Sequence, residues 1–245
     1  MKKLTWPALI FFSLAAVLTR FLHLRAGYDA QGLPVDGAAA CVLPILLIAA
    51  AAFFFLSARS YPAQRELCGS MEEYFDFSRT LSVTLSVLGA FVLIAAAALS
   101  VILPLRTTLS VLLAVFWFAS GASVIYVLFS LRRGSEPVGV VVLTPVYALV
   151  LQLIFAYRAS AADPILDHSY LEILAISALT AAFLEFAAFV FRNGAARIFA
   201  PLAAISFLLC CCCMADRNDL LTSLFFLGFA LILLGYGTAA DFVRK

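Results

Sequence analysis

The sequence predicts an all-α fold, a polytopic transmembrane helical bundle of eight spans with both termini cytoplasmic. Three observations carry that expectation. Apolar residues make up 65% of the chain and charged residues 12%, against about 45–50% and about 25% in soluble domains. The apolar residues gather into runs of about 20, long enough to cross the hydrocarbon core as helices. All Lys and Arg except Arg20 and Arg197 fall between those runs, and they are unevenly shared between the two sides.

The first span covers 5–24. Its start, "MKKLTWPALIFFSLAAVLTRF", mimics a secretory signal, with a basic stretch before an apolar one. The apolar part continues to Leu24 and no small-x-small site precedes a polar segment, so it is expected to remain as a span. The following spans are 38–57, 80–103, 109–131, 137–157, 170–191, 196–214 and 220–240. Polar or helix-breaking junctions separate them, among them "LPLRTT", "RRGSEP", "RNGAAR" and "ADRND". A turn is required between Pro104 and Thr108, because an unbroken helix over 80–131 would be about 78 Å long, more than twice the bilayer core. The whole chain is one transmembrane domain in this reading.

Orientation follows from the basic residues. With the N-terminus inside, the cytoplasm receives Lys2, Lys3, Arg59, Arg65, Arg79, Arg132, Arg133, Arg192, Arg197, Arg244 and Lys245. The outer side receives Arg20, Arg25, Arg106, Arg158 and Arg217. Two loop motifs read as helix starts. "SYLE" (Ser169 to Glu172) and "SMEE" (Ser70 to Glu73) fit the capping box. The second predicts that the third helix begins near Met71, with Met71, Tyr74, Phe75, Ser78 and Leu81 as a mostly apolar stripe along the membrane interface. "SEP" at 135–137 predicts a capped start to the fifth helix, with Pro in its first turn.

Eight spans also divide into two sets of four with equal orientation. The first outer loop, "RAGYDAQGLPVDG", and the third, "RASAADPILDHS", each place two Asp around a Pro after Arg-Ala. "RTTL" and "RNDL" each precede an apolar span that ends in a basic pair. These short matches suggest a weak parallel repeat of 1–133 and 134–245, as some transporters have.

The residue that stands out chemically is Glu185, in "LTAAFLEFAAFVFRNG". Positions three, four and seven away share its helix face. They are Ala178, Ala181, Ala182, Ala188 and Arg192, with Phe189 at the margin. The bulky opposite stripe is Ile176, Leu179, Phe183, Phe186 and Val190. Small residues favour close helix packing in membranes, so Glu185 is expected to face other helices and the bulky stripe to face lipid. It lies about 10 Å inside the cytoplasmic end of its span. Candidate partners at that depth are Ser86, Thr144, Tyr236 and Thr238, and Pro145 after Thr144 frees backbone carbonyls. Two readings stay open. Glu185 is either a structural acid that ties helices together or snorkels toward Arg192, or a proton- or cation-coupling site. On the fifth helix Gln152 shares a face with Pro145, Ala148, Ala156 and Ala159 and lies nearer the outer side. Arg20 and His23 lie at its level, which suggests an outer polar pocket or simple snorkelling and interhelical hydrogen bonds.

Other signals have plainer explanations. Four adjacent residues, Cys210 to Cys213, fan around a helix and cannot converge on one ion. Cys is also an acceptable small apolar residue in lipid. Cys41 and Cys68 fall on opposite sides of the membrane. The outer Asp29, Asp36, Asp163, Asp167, Asp216 and Asp219, with His23 and His168, could hold a divalent cation, yet each Asp also suits a turn or helix start. The expectation is no metal and no cofactor. With no HExxH, GxSxG or P-loop, no enzymatic activity is expected either. A net charge of +2 without a basic, aromatic-rich patch predicts no nucleic-acid partner. The lipid bilayer is the expected partner.

The stretch "PVYALVLQLIFAYRASAADPILDHSYLEILA" together with "RAGYDAQGLPVDG" resembles uncharacterised multi-pass membrane proteins of anaerobic Gram-positive bacteria. That resemblance implies a bacterial inner-membrane location and supplies no functional residues. The sequence therefore favours a small transporter or permease-like protein, with a non-catalytic membrane partner or sensor subunit as the alternative.

Overall fold

A computed structural model of the chain describes residues 2–26, 38–59, 71–102, 108–161, 170–216 and 219–240. Ten helices occupy them: α1 (Lys2–Ala26), α2 (Ala38–Ala58), α3 (Met71–Tyr74), α4 (Thr80–Ile102), α5 (Thr108–Arg132), α6 (Gly139–Val142), α7 (Thr144–Ala161), α8 (Tyr170–Val190), α9 (Ala196–Ala215) and α10 (Leu220–Ala239). Eight segments are long and apolar enough to cross a membrane, α6 and α7 counting as one interrupted span. An even number of crossings leaves both termini on one side, called here the termini side.

Neighbour relations define the architecture. Helices α4, α5, α7, α8, α9 and α10 each pack on the next, and α10 returns to α4, which closes a ring of six. The α1–α2 pair lies outside the ring and packs on α9. Separate, mutually packed α4 and α5 are what the break expected at Pro104–Thr108 requires, although residues 103–107 lie outside the described set. So do Ser169, Ser70, Cys68, His168, Asp29, Asp36, Asp163 and Asp167.

A ring of six helices encloses more space than aliphatic side chains of neighbouring helices fill, and aromatic rings fill it here. Phe75 meets Phe186 edge-on, Phe186 stacks on Tyr236 with centroids 4.1 Å apart, and Phe183 links Tyr236 to Phe229. Phe225 then joins Phe229 to Trp117. The column corrects the expected orientation of α8. Of the bulky stripe Ile176, Leu179, Phe183 and Phe186 are buried and Val190 is half-buried, whereas Leu184 is 53% exposed and, of the small stripe, Ala178, Ala181 and Ala188 are only half-buried and Ala182 alone is buried. The bulky stripe faces the ring's interior because that interior needs volume. Close packing through small residues occurs elsewhere, between α4 and α10, where Ser82, Ser86 and Gly89 meet Gly228 and Gly235.

Two further expectations are revised. The third span does not begin at Met71: α3 ends at Tyr74, and Asp76 accepts hydrogen bonds from the backbone N–H and hydroxyl of Ser78, a side-chain turn that interrupts helix before α4. Met71, Tyr74 and Phe75 do not lie along the interface either. They are buried under the ring, and Asp76 N–H donates to the Ala239 carbonyl at 2.8 Å. The fifth span is likewise broken, at Leu143 between α6 and α7. Proline at 145 has no N–H to offer the carbonyl four residues back, that of Val141. Ser123 of α5 supplies the missing donor through its hydroxyl. Ser123→Ala should therefore remove a part-buried hydrogen bond to a carbonyl that keeps a backbone donor from the C-cap of α6, and lower stability by about 0.5–1.5 kcal/mol. Thermal unfolding in lipid nanodiscs reads this out, and an unchanged midpoint refutes it.

Candidate functional site

Glu185 has a local task. Helix α8 ends in two reverse bonds, Asn193 N–H to Ala188 O and Arg192 N–H to Phe189 O, with Arg192 at the left-handed position (φ 56°) usually held by Gly. This turn brings the start of α9 back beside α8. Oε1 of Glu185 then accepts the Ala195 N–H at 2.6 Å, at the N-cap residue of α9. The residue is half-buried and does not meet the expected partners. Ser86 donates to its own helix at Ser82 O, Thr144 to Val140 O and Thr238 to Gly235 O, and Tyr236 lies in the aromatic column. Arg192 pairs with Glu136 at 3.5 Å, not with Glu185. Since an amide oxygen also accepts, Glu185→Gln should leave the thermal midpoint nearly unchanged, whereas Glu185→Ala should cost about 1–3 kcal/mol. Equal effects of the two substitutions would contradict this assignment.

Gln152 sits half-buried on α7, and its Oε1 has no hydrogen-bond partner among the described residues. Helix α7 packs between α5 and α8, away from α1, so the expected pocket of Gln152 with Arg20 and His23 does not form. A different one does. The buried face of α1 runs Leu9, Ser13, Ala16, Arg20, His23, a spacing of four and three residues that keeps one stripe against α9. Arg20 is fully buried and forms an ion pair with Asp216, which follows the last turn of α9 and is itself 9% exposed. The Nδ1 of His23 lies 3.3 Å from Arg20 Nη1. Glu172 of α8 is within electrostatic range of both Asp216 and Asp219, and Arg20 reaches the field of Cys212. Asp219 caps α10 by accepting the Thr222 N–H at 3.1 Å. Among the described residues, no three His, Cys, Asp or Glu are placed to share a metal ion.

At the other end of the same seam, on the termini side, a cleft of about 150 Å³ opens between α1, α2, α9 and α10. Trp6, Phe54, Phe199, Phe207 and Leu233 wall it, and Arg79 stands at its edge. Arg79 donates to Thr238 O at 3.4 Å and pairs with Asp76 at 3.6 Å. Between cleft and ion pair the seam holds two buried hydroxyls, Ser13 on α1 and Ser206 on α9. The hydroxyls of Thr19, Ser86, Ser120, Ser160 and Thr180 fold back on carbonyls of their own helix, and that of Ser123 reaches Val141 of α6. The hydroxyls of Ser13 and Ser206 have no partner among the described residues.

The sequence signal for this arrangement was the heptad-like spacing of α1, which fixes Arg20 and His23 on the face of Leu9 and Ala16. Asp216 was legible only as a turn residue. Comparison with protein-family models, curated proteins and solved structures returns no match. Length, hydropathy and packing of the eight helices define the class: an integral, multi-pass membrane protein.

Proposed function

We propose that the chain is a small permease-like transporter of a bacterial cell (inner) membrane, caught open toward the cytoplasm. The Lys and Arg distribution assigns the termini side to the cytoplasm. The observation that carries the reading is the α1–α9 seam. It is open as a cleft at one end, closed by the buried Arg20–Asp216 pair at the other, and carries between them two buried hydroxyls without a hydrogen-bond partner among the described residues. Buried charges inside a membrane are costly and mark substrate routes. The closed stretch from Leu9 to Arg20 spans about 16 Å of helix. In this reading Arg20 and Asp216 form the outer gate, and the α1–α2 pair moves against α9 to exchange access. The aromatic column fills the ring, so the route runs beside it rather than through it.

The test is solute exchange in proteoliposomes, one labelled compound at a time from a panel of small carboxylates, amines, amino acids and sugars. At least one should exchange faster than in protein-free vesicles, and Asp216→Ala should alter its rate. No exchange across the panel, together with co-purification of a fixed membrane partner, would replace this reading with that of a non-catalytic subunit.

A further inference from the structure

We infer that the termini-side corner between α5, α6 and α8 docks an anionic phospholipid, with Arg132, Arg133 and Arg192 on its phosphate and the exposed apolar side chains beside them on its acyl chains. The corner is built from two helix ends. Helix α5 stops in a tight turn, where Arg133 N–H reaches Phe129 O and Ser135 N–H reaches Ser130 O. Helix α8 stops in the reversal at Arg192. Two contacts tie these ends together. Arg192 pairs with Glu136 at 3.5 Å, and the ring of Phe191 lies so close to Gly139 that a Cβ there would stand 2.6 Å from it. The chain from Arg133 to Glu136 spans about 10 Å at most, so the three guanidinium groups gather at one place.

Charge complementarity follows. Arg132 and Arg133 are exposed, and their guanidinium groups meet no hydrogen-bond or ion-pair partner among the described residues. The Arg192–Glu136 pair is open to water, its side chains 60% and 49% exposed, and such a pair contributes little to stability. A phosphate accepts from arginine in two-pronged fashion and can take the place of Glu136. Position 192 adds a second indication. Its φ of 56° is left-handed backbone, which Gly adopts at no steric cost and other residues do not. An arginine kept there, with a water-exposed partner inside the chain, points to a partner outside it.

The apolar half of a lipid fits the same corner. Tyr126, Phe129 and Arg133 are spaced by three and four residues, so they form one stripe along the exposed face of α5. Phe191, Val138 and Val140 are exposed at the neighbouring helix ends. Apolar side chains that lead up to arginines at the bilayer boundary match acyl chains below a phosphate. A free phosphate would use the arginines alone.

Native mass spectrometry of the full chain in detergent, titrated with dioleoyl phosphatidylglycerol or with dioleoyl phosphatidylcholine, reads the affinity for the first lipid bound. Phosphatidylglycerol should bind more tightly. Each basic group at an anionic lipid surface is worth about a fivefold change in affinity. R192Q should therefore weaken phosphatidylglycerol about fivefold and R132Q/R133Q about 25-fold. Phosphatidylcholine binding and thermal midpoints should stay at their wild-type values, since all three side chains are exposed. K2Q/K3Q removes as much charge at the start of α1 and should leave the phosphatidylglycerol affinity nearly unchanged. Equal affinity for the two lipids overturns the site, as does wild-type affinity in folded R132Q/R133Q. Equal weakening by K2Q/K3Q and R132Q/R133Q would show a general effect of charge, and displacement of the lipid by millimolar glycerol phosphate would show a phosphate site; either result also overturns the docking of a lipid at this corner.

Discussion

Asp216→Ala should destabilise the folded chain by about 3–5 kcal/mol, because it removes the carboxylate that pairs with the buried guanidinium of Arg20. The size follows from geometry. Arg20 is 0% exposed and part of the stripe that packs on α9, so it cannot rotate to water without parting the two helices. Arg20→Met should cost less, since the methionine fills the same space and the carboxylate left behind sits beyond the last helical turn, nearer the aqueous boundary. The double substitution should recover much of the loss, as replacing a buried ion pair by apolar groups is often nearly neutral. A double-mutant cycle on thermal or chemical unfolding in nanodiscs measures the difference. Independent, additive effects of the two single substitutions would show that the pair is not the buried contact described.

Gly235→Leu should abolish accumulation of folded protein, while Gly237→Leu, two residues on, should be tolerated. At 235 an added Cβ would stand 2.1 Å from Ser86 Oγ, 2.8 Å from Ser82 O and 2.9 Å from Ser86 N. Two of those atoms are helix backbone and cannot step aside, so α4 and α10 would have to separate along their whole contact. Overpacking usually costs about 1–3 kcal/mol, and Gly235→Ala should already reach the upper part of that range. At 237 nothing lies within 4 Å of the added atom. Comparable yields of the two leucine variants from membranes would rule out the close α4–α10 approach.

The eight crossings were legible because each depends on a local property, a run of about 20 apolar residues between breakers. The orientation of α8 was not. Its alanine stripe and its phenylalanine stripe are both apolar, and hydropathy cannot rank them. The choice is made by the hollow that six helices create together, a property of the assembly and not of any one of them. The stripe of Met71, Tyr74 and Phe75 departs from expectation for a related reason: an apolar stripe near the interface can face lipid or plug the end of a bundle, and only the space beneath Phe186 and Phe189 decides. Within the site, Arg20 and His23 stand out in the sequence as polar residues in the first span, at the level of Gln152 rather than beside Asp216. Asp216, 196 residues from Arg20, looked like one more turn-forming aspartate, since nothing local links it to a partner so far along the chain. Glu185 drew attention as a deep acid, but its distance from the helix end mattered less than the reversal at Arg192, which carries the Ala195 amide back to it.

The same separation has a temporal side. Ribosomes add about 5–20 residues per second, so Asp216 emerges about 10–40 s after Arg20 has been made. During that interval the newborn N-terminal hairpin must hold a cationic side chain at the bilayer with its counter-ion still untranslated. The insertion machinery, or the long stem of Arg20 bending toward headgroups, has to shelter that charge until α9 arrives, which makes docking of the hairpin a late event in biogenesis.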